Sequence, residues 1–193
     1  MGDGIEHDTT GRITRRTALA GAAVALGLAA TGVPATLHAT APFTFASIDG
    51  GTLSLAHWAG RPVLVVNTAS LCAFTPQYEE LQTLWERYRD RGLVVLAVPS
   101  NDFRQELGSE EEVREFCEIT FGLDLPMTEI THVRGPTAHP FYRWLADEHG
   151  FRPRWNFNKV LIGPDGAPVR SWGSGASPLS ATVLREIEAL LGA

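Results

Sequence analysis

The chain has 193 residues, 16 basic against 22 acidic side chains for a net charge of −6, and a hydrophobic fraction of 44%. That balance excludes general affinity for nucleic acid or for anionic membranes, and it leaves ample apolar sequence for a packed core. The two cysteines, Cys72 and Cys117, leave a structural disulfide open, although a domain this rich in apolar residues scarcely needs one.

Residues 1–41 read as a leader. Thr14-Arg15-Arg16-Thr17-Ala18-Leu19 is a twin-arginine pattern, and an uncharged, alanine-rich run from Ala18 to Ala30 follows it. The run falls short of the ~20 residues of a membrane span, so export without stable membrane insertion is expected. Ala35, Ala39 and Ala41 are candidate ends of the signal. The leader carries Asp3, Glu6 and Asp8 against Arg12, Arg15 and Arg16, so residues 42–193 keep the same net charge. Those roughly 150 residues suit one domain. Its expected location is the periplasm, or the cytoplasm if the leader is not used.

Within it, Phe43 to Leu55 alternates around Asp49-Gly50-Gly51, which predicts two short strands and a turn. Pro62 to Asn67 is a buried strand candidate. Tyr78, Leu81, Leu84, Trp85 and Tyr88 form a helical stripe within 76–91, stopped by Gly92. Leu93 to Val98 is the next apolar strand, which makes a right-handed βαβ unit with a parallel pair. Ser109 and Glu112 suggest a capping box for a helix over 109–121, with Val113, Phe116, Cys117, Thr120 and Phe121 on one face. Lys159–Ile162 and Ala167–Trp172 flank Pro164-Asp165-Gly166 as a hairpin. Ser177-Pro178 opens a terminal helix with Leu179, Val183, Ile187, Leu190 and Leu191 inward. A βαβ unit, a helix, a hairpin and a last helix define an α/β, thioredoxin-like fold, with a central mixed sheet flanked by helices.

Three patches of this sequence carry chemistry. Asn67 to Tyr78 delivers Cys72 to a strand-to-helix turn, where backbone N–H groups and the helix dipole favour the reactive thiolate. Val98 to Glu106 lies just beyond the second parallel strand, where such sheets place their sites. Trp155-Asn156-Phe157-Asn158-Lys159 precedes another strand. There Trp155 offers an indole N–H and Asn156 an amide, neutral donors suited to a thiolate and a leaving oxyanion.

Three such patches in this order resemble the glutathione peroxidase family in its cysteine form, from about Phe43 to the C-terminus. The resemblance implies that Cys72 is the peroxidatic residue and that Gln105, Trp155 and Asn156 complete the catalytic tetrad. It also places Cys117, in Glu115-Phe116-Cys117, at the resolving position of thioredoxin-dependent members. Ala73 stands where the family usually has glycine, and Ser100 where it often has cysteine. The segment before Gln105 is one residue shorter than the common pattern, with Arg104 where a glycine-containing pair is usual.

The implied cycle starts with attack of Cys72 on hydrogen peroxide or an organic hydroperoxide, which leaves a sulfenic acid. Cys117 condenses with it, and an external dithiol reduces the disulfide. A resolving cysteine favours a thioredoxin-like reductant over glutathione, and no counterpart of the basic cluster of glutathione-using animal members is found. Disulfide geometry needs Cα atoms about 4.4–6.8 Å apart, so the inward-facing helix that carries Cys117 must shift or partly unwind. No metal, flavin, haem or nucleotide is implied, because the six histidines are scattered without ligand spacing. His139 fits a structural role. The short segment from Arg143 to Trp155 lacks the insertions of tetrameric relatives, which favours a monomer.

Two other classes remain open. A periplasmic accessory or binding protein on a redox-inert thioredoxin scaffold, such as one associated with vitamin B12 transport, would keep its ligand after loss of Cys72. A disulfide oxidoreductase is disfavoured by Cys72-Ala73-Phe74-Thr75 in place of Cys-x-x-Cys, and a peroxiredoxin by Ala69 three positions before the cysteine.

Overall fold

Apolar runs without alternation need cover on both faces, and this chain provides it with two layers of helix. The structure, a computed structural model, describes residues 43–192, so the leader expected over 1–41 lies outside the described residues. Strands β3 (Val63–Thr68), β4 (Val94–Pro99) and β5 (Lys159–Ile162) are buried at every position. With β6 (Pro168–Trp172) they form a sheet of order β4-β3-β5-β6. β3 and β4 are parallel, and β5 and β6 continue antiparallel.

Successive residues of a strand face opposite sides. Leu64 and Val66 of β3 join a core with helices α1 (Gln77–Tyr88), α2 (Glu110–Phe121) and α4 (Ala181–Leu191). Val63 and Val65 turn to the other face. They pack with Phe45 of the hairpin β1–β2 (Thr44–Ala46 and Thr52–Ser54) and with Phe141, Tyr142 and Leu145 of helix α3 (Pro140–Glu148).

Most element ends obey local rules. Gly50 and Gly51 both take positive φ, as the hairpin turn requires. Ser109 accepts from the Glu112 N–H at 3.3 Å, as expected, while the Glu112 carboxylate reaches back one residue further, to the Gly108 N–H at 3.0 Å. Thr120 is exposed, so the inward face of α2 is narrower than the sequence suggests. The last helix starts at Ala181 and not at Pro178. The Ser177 hydroxyl is spent on a turn, accepting from Leu179 N–H and donating to Glu80. Helix α3 is not anticipated by the sequence reading. Its start is His139-Pro140, with the imidazole Nδ1 accepting from the Phe141 N–H and proline at the first helical position. The same ring reaches the Thr44 carbonyl and stacks on Phe45, which gives His139 a structural role.

The topology decides where function can sit. Parallel pairing puts the ends of β3 and β4 side by side, with Thr68 opposite Pro99. The antiparallel β5 begins at that same end, with Lys159 opposite Val66. Segments 69–76, 100–107 and 155–158 therefore converge, although they lie far apart in sequence.

Lys159 is fully buried and has no ion pair among the described residues. Its ammonium donates to Gln77 Oε1 at 2.6 Å and to the Phe157 carbonyl at 2.7 Å. Burial lowers its pKa from 10.5 to about 8, with the charge of Glu80 opposing. Between those values the unfolded chain binds more protons than the folded one, so this residue's contribution to stability rises with pH. Urea unfolding should show the parent gaining on the order of 2 kcal/mol relative to Lys159→Met between pH 7.5 and 9.5. A difference that stays flat with pH would mean that Lys159 titrates normally.

Candidate active site

Cys72 sits in the turn between β3 and α1 and is 7% exposed. Its N–H donates to Thr75 Oγ1 at 3.0 Å, and that hydroxyl in turn donates to the Ala69 carbonyl at 2.9 Å. The loop is thereby closed on itself around the thiol. The Phe74 N–H lies 3.5 Å from the sulfur and is its one hydrogen-bond donor among the described residues. Ala73 does not take positive φ, so the methyl in place of glycine adds no backbone strain.

Gln105 reaches the same place from the β4 side. Its carbonyl accepts from the Leu71 N–H at 2.9 Å, one residue before Cys72. Its side-chain Oε1 accepts from Asn156 Nδ2 at 3.0 Å. With the amides so oriented, the Gln105 NH2 is left as a free donor. The shortened segment closes because Arg104 adopts φ 59°, the left-handed turn that a glycine would make, with its N–H bonded to the Asn101 carbonyl at 2.9 Å.

Trp155 and Asn156 arrive on the third segment. Asn156 is fully buried, whereas the Trp155 ring is 41% exposed and packs 5.4 Å from the ring of Phe103. Leu71, the residue before Cys72, is 60% exposed, so Leu71 and Trp155 leave apolar surface at the site. Asn67, in β3, holds this segment in place. Its Nδ2 donates to the Trp155 carbonyl at 3.0 Å, and its Oδ1 accepts from the Asn158 N–H at 3.2 Å. Asn158 adds a second amide donor to the Trp155 carbonyl at 2.9 Å. Between them Phe157 is held buried at φ 58°, a backbone strain that the surrounding bonds impose.

Four of the five residues singled out from sequence thus lie on converging segments, with Gln105 and Asn156 in direct contact. No hydrogen bond joins the Cys72 sulfur to Gln105, Trp155 or Asn156. Cys117 is apart from them on α2, 2% exposed, and both thiols are free. Burial pushes the Cys117 thiol up to about 12, so at neutral pH it is fully protonated where it stands. The sequence reading gave no role to Asn67 or Asn158, which build the site without facing substrate. Their position in the motifs was visible, but their partners are some 90 residues away.

A thiol in a turn at the ends of parallel strands, on a segment that meets the Gln105–Asn156 amide pair, suits attack on a neutral peroxide. Known proteins agree. The family model described as glutathione peroxidase matches residues 41–146. The hydroperoxy fatty acid reductase gpx1 of Synechocystis sp. is 39% identical over 160 residues, covering 77% of this chain and 94% of its own. The crystal structure of T. cruzi GPX1 superposes with a TM-score of 0.61 at 30% identity, over 78% of this chain and 94% of that one. A thioredoxin-family thiol:disulfide interchange protein from Chlorobium tepidum shares the fold at a TM-score of 0.58 and 17% identity, over 78% and 94% of the two chains. The fold is thioredoxin-like and the activity that of a peroxide-reducing thiol peroxidase. The chain belongs to the glutathione peroxidase family.

Arg104 supplies a direct check on the shortened segment. A non-glycine residue in the left-handed region costs about 1–2 kcal/mol, partly offset by the greater freedom of glycine in the unfolded chain. Arg104→Gly should therefore raise stability by roughly 0.5 kcal/mol in urea unfolding and leave peroxide turnover unchanged. Loss of stability would mean that the arginine side chain holds the loop.

Proposed function

We propose that this enzyme is a two-cysteine hydroperoxide reductase in which Cys72 is oxidised, Cys117 resolves and a thioredoxin-like dithiol restores both. The observation that carries the reading is the Gln105–Asn156 contact at the mouth of the Cys72 turn. It fixes one amide by means of the other and leaves the Gln105 NH2 for the reacting oxygen or sulfur.

The Cys72 thiolate attacks one peroxide oxygen, the O–O bond breaks, and the second oxygen leaves as alkoxide or hydroxide that takes up a proton. Gln105, Trp155 and Asn156 serve as neutral donors to the thiolate and to the developing oxyanion, and one such donor is worth about 10²–10³ in rate. The exposed Leu71 and Trp155 favour organic hydroperoxides alongside hydrogen peroxide. That substrate range is in keeping with the name of the Synechocystis relative.

Cys117 is held as an unreactive thiol until it is needed, and this supports the need for α2 to move. Cys117 itself lines a pocket of about 280 Å³ with Ile48, Arg114, Leu125 and Met127, which leaves space beside the thiol. The enzyme acts as a monomer. The twin-arginine pattern at Arg15-Arg16 supports export to the periplasm, where the donor would be a dithiol protein and not the glutathione pool.

Reduced protein mixed with one equivalent of hydrogen peroxide should lose both thiols. Cys72→Ser should keep its remaining thiol, and Cys117→Ser should accumulate a trappable sulfenic acid. Survival of both thiols in the parent would end the peroxidatic assignment. Export is checked separately, by fusing residues 1–41 to a reporter. Arg15→Lys with Arg16→Lys should hold the reporter in the cytoplasm, and unchanged delivery would rule out the twin-arginine route.

A further inference from the structure

The loop after β6 carries none of the tetrad, yet one of its side chains reaches the tetrad directly. Ser174 stands there, half-buried, between Gly173 and Gly175. Its hydroxyl donates to the Asn156 carbonyl at 2.5 Å and accepts from Asn158 Nδ2 at 2.9 Å. These directions are forced. An amide nitrogen has only protons to offer and a carbonyl only lone pairs, so the single hydroxyl proton goes to Asn156.

The loop is tied in turn to the helix that leaves the Cys72 turn. Gln77, the first residue of α1, donates from Nε2 to the Ser174 carbonyl at 2.7 Å. Its Oε1 accepts from the Lys159 ammonium, which also donates to the Phe157 carbonyl. An unbroken series of hydrogen bonds therefore runs from Asn156 through Ser174, Gln77 and Lys159 to Phe157.

All four carbonyls of residues 155–158 are paired, and the pairing is divided. Asn67 serves the two ends, with its side-chain amide on Trp155 and its N–H on Asn158. Lys159 serves Phe157. Asn156 is left to Ser174, whose hydroxyl makes the one hydrogen bond to the Asn156 main chain among the described residues. Asn156 is fully buried, so solvent does not stand in for that bond. Without it a buried carbonyl goes unpaired, and the residue gains by shifting to satisfy it. The side chain of the same residue donates to Gln105 Oε1 at 3.0 Å, so a shift at Asn156 is passed to the Gln105 amide.

We propose that Ser174 is a positioning residue for the oxidation of Cys72, its hydroxyl fixing the Asn156 main chain and thereby the amides of Asn156 and Gln105. The assignment rests on the part given to those two amides in the peroxidatic step. No hydrogen bond joins Ser174 to Cys72 among the described residues, so Ser174 acts through Asn156.

Ser174→Ala removes the hydroxyl and keeps the anchor to Gln77, which is made by the main chain. Stopped-flow rates of Cys72 oxidation by hydrogen peroxide are compared in the parent, Ser174→Ala, Ser174→Thr, Asn156→Ala and the double alanine variant. Misplacing a catalytic group by about 1 Å can cost a hundredfold, so Ser174→Ala should slow oxidation roughly ten- to a hundredfold. Ser174→Thr, which keeps the hydroxyl, should recover most of that loss. In the double variant the serine substitution should add nothing to the slowing caused by Asn156→Ala. Oxidation at the parent rate in Ser174→Ala would overturn the proposal, and so would a threonine variant as slow as the alanine one. A slowing of the same size in the Asn156→Ala background would overturn it too, since the hydroxyl would then serve the fold at large. Oxidation at the parent rate in Asn156→Ala would remove the reading on which the proposal rests, and that failure is visible without any Ser174 variant.

Discussion

Asn67 is the joint on which the site depends. Its main chain bonds with Phe157 and Asn158, and its side chain bonds with the Trp155 carbonyl and the Asn158 N–H. It is nearly fully buried, so each of these bonds replaces one that water would otherwise supply, and losing any of them would leave a buried polar group unpaired. Through this one residue the end of β3, which leads to Cys72, is fixed against the segment that brings Trp155 and Asn156. The strained backbone of Phe157 persists because the bonds on either side of it leave no alternative.

From that joint the rest of the chemistry follows by contact. Asn156 positions Gln105, Gln105 ties its own backbone to Leu71, and Thr75 closes the turn around Cys72. The amides of Gln105 and Asn156 and the indole of Trp155 are neutral, so the segments that meet at the Cys72 turn bring no charge that would hold a thiolate in an ion pair. Sulfur chemistry is divided between two environments. Cys72 is buried in the turn after β3, next to the exposed Leu71, and Cys117 waits in the core as a protonated thiol.

Much of this was legible in the amino-acid sequence, because the signals were local. The parallel βαβ unit, the hairpin after Lys159 and the glycine stops at Gly92 and Gly122 all rest on periodicity and turn chemistry within a few residues. The convergence of the segments that carry Cys72, Gln105, Trp155 and Asn156 was legible through their motifs and element boundaries. What stayed hidden depends on distant partners. Asn67 and Asn158 were given no role, and Tyr78 was read only as one residue of an apolar stripe. Helix α3 was missed because its start depends on a histidine cap and a proline, a weaker signal than serine or aspartate. The start of the last helix was misplaced because Ser177 turned its hydroxyl to Glu80.

The central claim is that the amide held by Asn156 accelerates oxidation of Cys72. Stopped-flow measurement of the second-order rate of Cys72 oxidation by hydrogen peroxide, in the parent and in Asn156→Ala, tests it most directly. The account predicts a parent rate far above that of a free cysteine and a fall of about a hundredfold or more in the variant. A parent no faster than free cysteine, or a variant as fast as the parent, would contradict it.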